Sequence, residues 1–242
     1  MSAMPELGTT VIVGVGEGLG ASLGRRFAAA GHPVALAARD AEKLAPLVAE
    51  IEDEGGTAKA YAADAALDDE VAQLFAQAEV DLGPVDVAIF NAGARHQASI
   101  LEMDSEKFQS VWRTSCLGGM IVGREAARLM APRGRGTILF TGGRPSRRAE
   151  AELAAFAAGK FGLRAVAQSM ARELAPRGIH VSHFIIEGGI DNQRMRKMRP
   201  EIAAEDGLVS TAALAELYYH THCQPRSCWN FEVDLRSWMD SF

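Results

Sequence analysis

The stretch "TTVIVGVGEGLGASLGRRFAAAG", residues 9–31, sets the fold of everything after it. It opens with an apolar, β-branched run of strand length. "GVGEGLG" follows, with Gly14, Gly16, Gly18 and Gly20, and then a helical pattern. Glycine tolerates positive φ and lets backbone come close to a bulky anion. A helix N-terminus just behind it offers free N–H groups and the positive end of a dipole, which suits a pyrophosphate. A tight strand-to-helix turn explains one or two glycines but not four, so the pattern points to a nucleotide cradle.

Strand and helix patterns alternate outward from that turn. "PVALAA", "TAKAYAA", "PVDVAIF", "GTILFTG" and "IHVSHFII" read as strands, and "WNFEVDL" as a last one. Between them lie helical stretches: 41–56, 68–80, about 105–130, the segment around "AAFAAGKFGLR" (154–164), and "TAALAELYYHTH". Such alternation predicts βαβ units, hence an α/β fold of Rossmann type: a doubly wound parallel sheet in three layers. Ligands of such sheets bind at the carboxyl ends of the strands. No Pro- or Ser-rich linker and no repeat divides residues 1–242, so a single domain is expected.

Bulk properties narrow the function. A hydrophobic content of 48% with 24 Gly suits a large core with many tight turns. A net charge of −6 argues against nucleic acid or an anionic membrane as partner. "RMRKMRP" is a local basic cluster on a loop. "MSAMPELG" lacks the charged and apolar regions of a signal peptide, and no apolar run is long enough to span a bilayer. Three cysteines, Cys116, Cys223 and Cys228, make no disulfide framework. A cytoplasmic protein is expected.

The spacing Gly14-x-x-x-Gly18-x-Gly20 resembles the short-chain dehydrogenase/reductase family, with Leu19 where the G-x-G-x-x-G pattern would put its last glycine. "YAADA" looks like that family's third-strand Asp motif, which implies Asp64 and Ala65 beside an adenine. "FNAG" looks like its N-A-G motif, with Asn91, Ala92 and Gly93. Lys160 falls on the Lys of its Tyr-x-x-x-Lys motif. "IIEGGIDN" falls on the loop after the sixth strand, bringing Gly188, Ile190 and Asn192 to the cofactor. The second strand ends at Ala38, followed by Arg39, and a guanidinium there holds a 2′-phosphate bidentately. NADP(H) is therefore favoured over NAD(H), although Glu17 and Asp40 pull the other way.

The resemblance implies a Ser, a Tyr, a Lys and a helical Asn as catalytic groups. Here the Tyr position is Phe156, the Ser position is Gly142 or Gly143 beside Thr141, the Asn position is Ser115, and the Pro of a Pro-Gly pair is Glu187. Only Lys160 remains. Loss of a positioned acid costs about 10²–10⁴ in rate. Substitute proton or hydrogen-bond donors are Lys160 itself, His96 in "NAGARHQ", Tyr218 or Tyr219, and, for an oxyanion, Thr141 or Ser115. Phe156, Met195, Met198 and Trp229 suggest an apolar cleft. "HTHCQPRSC" holds metal-ligand types, but its spacing matches no common zinc site, so no metal is expected.

Two functions stay open at this level. One is an NADP(H)-dependent oxidoreductase acting on a small carbonyl, alcohol, enone or imine with an atypical donor. The other is a non-catalytic NADP(H)-binding sensor or subunit. A purely structural scaffold leaves the four glycines unexplained. In the resembled family the long fourth and fifth helices pair between subunits, and apolar residues on several faces of residues 108–130 agree with a homodimer or homotetramer.

Overall fold

The computed structural model describes residues 7–240. The stretch read for a signal peptide lies partly outside them, in residues 1–6. Seven strands form one sheet: β1 (Thr9–Val13), β2 (Val34–Ala38), β3 (Ala58–Ala62), β4 (Val85–Phe90), β5 (Gly136–Thr141), β6 (Ile179–Glu187) and β7 (Glu232–Arg236). The order is β3-β2-β1-β4-β5-β6-β7, and every pairing is parallel. This is the expected Rossmann-type α/β sheet.

Helices cover both faces. On one face lie α1 (Leu19–Ala29), α2 (Ala45–Asp53) and, late in the chain, α9 (Thr211–His222), packed over Ile12, Leu36, Ile89 and Phe184. On the other lie α3 (Asp68–Leu82), α4 (Ser105–Trp112), α5 (Gly118–Met130) and α6 (Ala154–Leu174), over Val11, Val13, Phe90 and Phe140. A strand buried on both faces needs apolar residues throughout, which is why "TTVIV" shows no alternation. In α3, Val71, Leu74, Phe75 and Ala78 make the buried stripe. Asp68, Asp69 and Glu70 complement the dipole of its first turn, and Gly83 at φ +93 ends it.

Two helix boundaries differ from the sequence pattern. The helix expected over 41–56 begins at Ala45 behind a 3₁₀ turn over 42–44, because Pro46 fits only a first turn. The helix expected over about 105–130 is broken by a π turn, Arg113–Leu117. Two short helices, α7 (Gln193–Met198) and α8 (Pro200–Ala204), form an excursion between β6 and α9. Its base is closed by a parallel bridge between Ile190 and Val209. Among the described residues, no helix is long and apolar enough to cross a membrane.

Candidate active site and cofactor cradle

At the carboxyl ends of β1 and β4 two backbones touch. Gly14 has φ +93, and a Cβ there would collide with the backbone of Ala92. At Gly20 a Cβ would lie 2.8 Å from the Val15 Cα, so glycine lets α1 start close against the turn. Packing therefore requires glycine at 14 and 20. It does not require it at 16 or 18. A Cβ on Gly16 would meet nothing within 4 Å, and one on Gly18 only the Asn192 Cβ at 3.8 Å. Behind these open positions, α1 begins with no side-chain cap and no acidic residue in its first turn. The Ala21 amide is taken by the Gly16 and Gly18 carbonyls at 3.1 Å, so the turn and the amides ahead of it are what a pyrophosphate would meet, and the residues fit one.

The other cofactor candidates gather around the cradle. The Asn91 side chain donates to the Gly14 carbonyl at 2.9 Å, and its amide donates to Val13 at 2.8 Å. A Cβ on Gly93 would stand 3.4 Å from the Lys160 Nζ. Lys160 is buried and donates to the Thr141 carbonyl at 2.7 Å. Burial holds its ammonium down to about 8. Gly14, Asn91, Ala92, Gly93 and Lys160 thus come together from three parts of the chain.

Further out, the side chain of Asp64 turns back on its own loop, accepting from Ala66 N at 2.9 Å. Ala65 packs on the start of α5, where a Cβ on Gly118 would be 3.1 Å from its carbonyl oxygen. Arg39 is exposed and has no ion-pair partner among the described residues, whereas Asp40 is engaged by Lys43 at 2.9 Å. Gly188 has φ +114. Asn192 caps α7 by accepting from Met195 N at 2.9 Å and donates to the Ile190 carbonyl at 3.0 Å.

The proposed proton and hydrogen-bond donors are dispersed. Phe156 lies one turn before Lys160 on α6 and is half-buried. The Thr141 hydroxyl and the Tyr218 phenol bond each other at 2.9 Å, and Tyr218, fully buried, stacks on Phe184 at 3.6 Å. Burial drives that phenol above its ordinary range. Tyr219 faces α1, with the Arg26 guanidinium 3.7 Å from its ring centre. Both tyrosines, named above as substitute donors, are packed by α9 into the α1 side of the sheet. Ser115 is fully buried in the π turn, with its Oγ accepting from Ala94 N at 3.2 Å. His96 is half-buried in the loop after β4.

Trp229 is also corrected. It stacks on His180, the second residue of β6, so it lies toward the amino end of the sheet, opposite the cradle. In "HTHCQPRSC", His220 meets Glu216 at 3.0 Å while His222 meets the Thr137 hydroxyl at 2.9 Å. Those two rings have separate partners, and among the described residues no group of three His, Cys, Asp or Glu could hold a metal.

Three side chains near the site escaped sequence reasoning. Arg144, directly after Gly143, pairs with Asp240 at 2.5 Å, with Glu150 at 3.5 Å and with Glu187 at 3.7 Å. Glu187 also meets Arg236 at 3.6 Å, so the carboxylate at the expected Pro position is buried among guanidiniums. His183 and Ser146 are both fully buried, Nε2 to Oγ at 3.4 Å. The signal for His183 was a histidine at a strand position that alternation turns toward α6, together with side-chain-free Gly142.

Comparison with known proteins agrees with this architecture. A family model described as short chain dehydrogenase matches residues 8–203. Gluconate 5-dehydrogenase of Gluconobacter oxydans (strain 621H) is 30% identical over 172 residues, covering 71% of this chain and 67% of that protein. The 3-oxoacyl-[acyl-carrier-protein] reductase MabA of Mycobacterium avium is 28% identical over 199 residues, 81% and 72% of the two chains. A crystal structure of a short-chain dehydrogenase from Rhodopseudomonas palustris superposes with a TM-score of 0.84 at 43% identity, covering 96% of this chain and 99% of that one.

Proposed function

Because the chain belongs to the short-chain dehydrogenase family, whose members are oxidoreductases, we propose that it is an NADP(H)-dependent oxidoreductase with Lys160 as its proton-transfer group. When bound, the nicotinamide supplies or takes up hydride. Gly16, Gly18, Leu19 and Gly20 hold the pyrophosphate, and Arg39 the 2′-phosphate. Asp64 and Ala65 border the adenine, Asn91 to Gly93 line the dinucleotide, and Gly188, Ile190 and Asn192 close the nicotinamide end. Lys160 orients the ribose.

One observation carries the reading: a buried ammonium, fixed on the Thr141 carbonyl and held down to about 8, in a cleft without the usual phenol. A group titrating there is mostly protonated at neutral pH and gives the proton up readily. Phe156 offers only an apolar surface, and Gly142 and Gly143 offer no hydroxyl. An enone or imine lessens the demand for a strong acid, because it takes its proton from water or arrives charged. A small, hydrophobic substrate of that kind fits better than a simple ketone. His96 is the second candidate donor.

NADPH fluorescence on titration, followed by NADPH oxidation across ketones, enones and imines, tests this. Turnover of at least one enone or imine is expected. Tight binding with no turnover at all would favour a non-catalytic NADP(H) sensor, a second reading supported by Phe156 and by the engagement of Ser115 and Thr141 within the fold. The proposal includes self-association. A groove of about 760 Å³ lined by Met120, Ala127, Val166 and Met170 runs between α5 and α6, and Trp112 and Phe161 are exposed nearby. A homodimer or homotetramer covers it.

A further inference from the structure

The end of β5 is held from below by a side chain that the proposed chemistry does not use. His183 is wholly buried in β6. A Cβ on Gly142 would collide with its Cε1 and Nε2, so the imidazole edge occupies the space where residue 142 would carry a side chain. The same Nε2 approaches the Ser146 Oγ at 3.4 Å, and that oxygen accepts from Gly143 N at 3.3 Å. Nδ1 has no partner among the described residues. One ring therefore braces both glycines that follow Thr141, whose carbonyl is the acceptor of the Lys160 ammonium.

We propose that His183 is a positioning residue for Lys160: its neutral imidazole, admitted by the missing side chain of Gly142, packs the underside of the β5 end, keeps water from the buried ammonium and fixes the carbonyl that receives it. The groups facing the ring agree with a neutral state. Lys160 and Arg164 approach from α6, the Arg164 charge is answered by Glu232 of β7, and Ser146 is uncharged. Burial and the two cations hold the imidazole down to about 3, so it adds no charge beside Lys160. A ring that fills space without charge leaves the ammonium desolvated, and desolvation is what lowers it.

This rests on Lys160 being the titrating group of the proposed site, but its test needs no turnover. The Lys160 Nζ signal is followed by NMR from pH 6 to 11 in the cofactor-free full chain and assigned with a Lys160→Arg variant. His183→Val removes the ring, and Gly142→Ala sets a Cβ against its Cε1 and Nε2 and against the Phe184 carbonyl oxygen at 2.6 Å, so it is read only where the variant keeps the Tm of the unsubstituted chain. Both variants are expected to move the Lys160 midpoint up by one pH unit or more and to weaken NADPH binding several-fold. His183→Phe, which keeps the ring volume, is expected to leave the midpoint in place. An unchanged Lys160 midpoint in folded His183→Val and Gly142→Ala overturns the proposal. If His183→Val does not fold, Gly142→Ala decides alone. No turnover of any enone or imine by the unsubstituted chain, with the midpoint shift present in the variants, would instead sink the oxidoreductase reading and leave this one standing.

Discussion

The two halves of the cleft are made of different material. The cofactor half is made largely of backbone: the turn from Gly14 to Gly20, the Asn91 amide on Val13, and the open start of α1. The proposed substrate half is made of side chains, and the resemblance read from the sequence implies departures from the family's pattern at Phe156, Gly142 or Gly143, Ser115 and Glu187. A backbone site is fixed by sheet register and close approach, so few residues can change without disturbing the fold. A side-chain site sits on the same scaffold but is free of it. In the proposed reading, binding and chemistry can therefore separate in one molecule.

The sharpest way to break that contrast is to rebuild the chemical half on the unchanged scaffold. Phe156→Tyr combined with Gly143→Ser restores a phenol one turn before Lys160 and a hydroxyl at the β5 end. Gly143 has room, since a Cβ there would be 3.4 Å from the Ile186 carbonyl, whereas Gly142→Ser would strike His183. The expected gain in NADPH-driven ketone reduction is about 10²–10⁴-fold, the usual worth of a positioned acid. Steady-state assays with this double variant decide it. No gain would mean that the substrate half differs in shape as well as in its acid.

The cradle allows a complementary test. Gly14→Ala forces a side chain into positive φ and onto Ala92, with a backbone cost of about 1–3 kcal/mol before the collision is counted. It should lower Tm and abolish dinucleotide binding together. Gly16→Ala meets no protein atom within 4 Å, so Tm should hold while binding falls roughly tenfold, the scale of one lost hydrogen bond to a charged group. Calorimetry on the pair separates the packing role of the glycines from a ligand role. Unchanged binding in Gly16→Ala would remove the pyrophosphate from that turn.

The same division explains what the sequence revealed. The parallel α/β sheet and the tight glycine turn were legible because "TTVIV", the glycine spacing and the βαβ alternation are local patterns. The substrate half was legible only as a set of departures. That Thr141 bonds Tyr218, that Trp229 sits at the opposite end of β6, and that Glu187 joins Arg144 and Arg236 all depend on contacts between segments distant in sequence. His183 could have been suspected, since a polar residue in a strand buried on both faces needs a reason. Its partner Gly142 was read only as a missing Ser.

Acid should also distinguish the halves, because buried imidazoles lie beneath the substrate half and at the amino end of the sheet but not in the cradle. Burial lowers His183 to about 3 and His222 to about 4, and it lowers His32 and His180 as well. Unfolded imidazoles titrate near ~6.5, so below that pH the unfolded chain binds more protons than the folded one. Stability is complete above about 6.5 and is lost as pH falls toward 4 and then 3. Near pH 5 each of the two strongest cases should cost roughly 2 kcal/mol. Thermal melts from pH 8 to pH 5 should show a falling Tm, with a shallower slope in His222→Gln. A flat profile would mean that these rings are hydrated.

The smallest expected effect concerns which dinucleotide the cradle prefers. Arg39 follows β2, is exposed and has no carboxylate partner among the described residues, while the acid beside it is held by Lys43. That arrangement leaves a guanidinium for a 2′-phosphate and leaves Asp40 poorly placed to accept from ribose hydroxyls. Because the guanidinium is in solvent, its attraction is screened, so the lower end of the range for charge-assisted bonds applies. Arg39→Ala should weaken NADPH about tenfold, leave NADH unchanged, and lose most of its effect at high salt. Glu17, exposed in the cradle, opposes the same phosphate, so Glu17→Gln should strengthen NADPH slightly and NADH hardly at all. Equal losses for both dinucleotides in Arg39→Ala would show that the residue reads the shared diphosphate, and NADP(H) preference would then have no residue behind it.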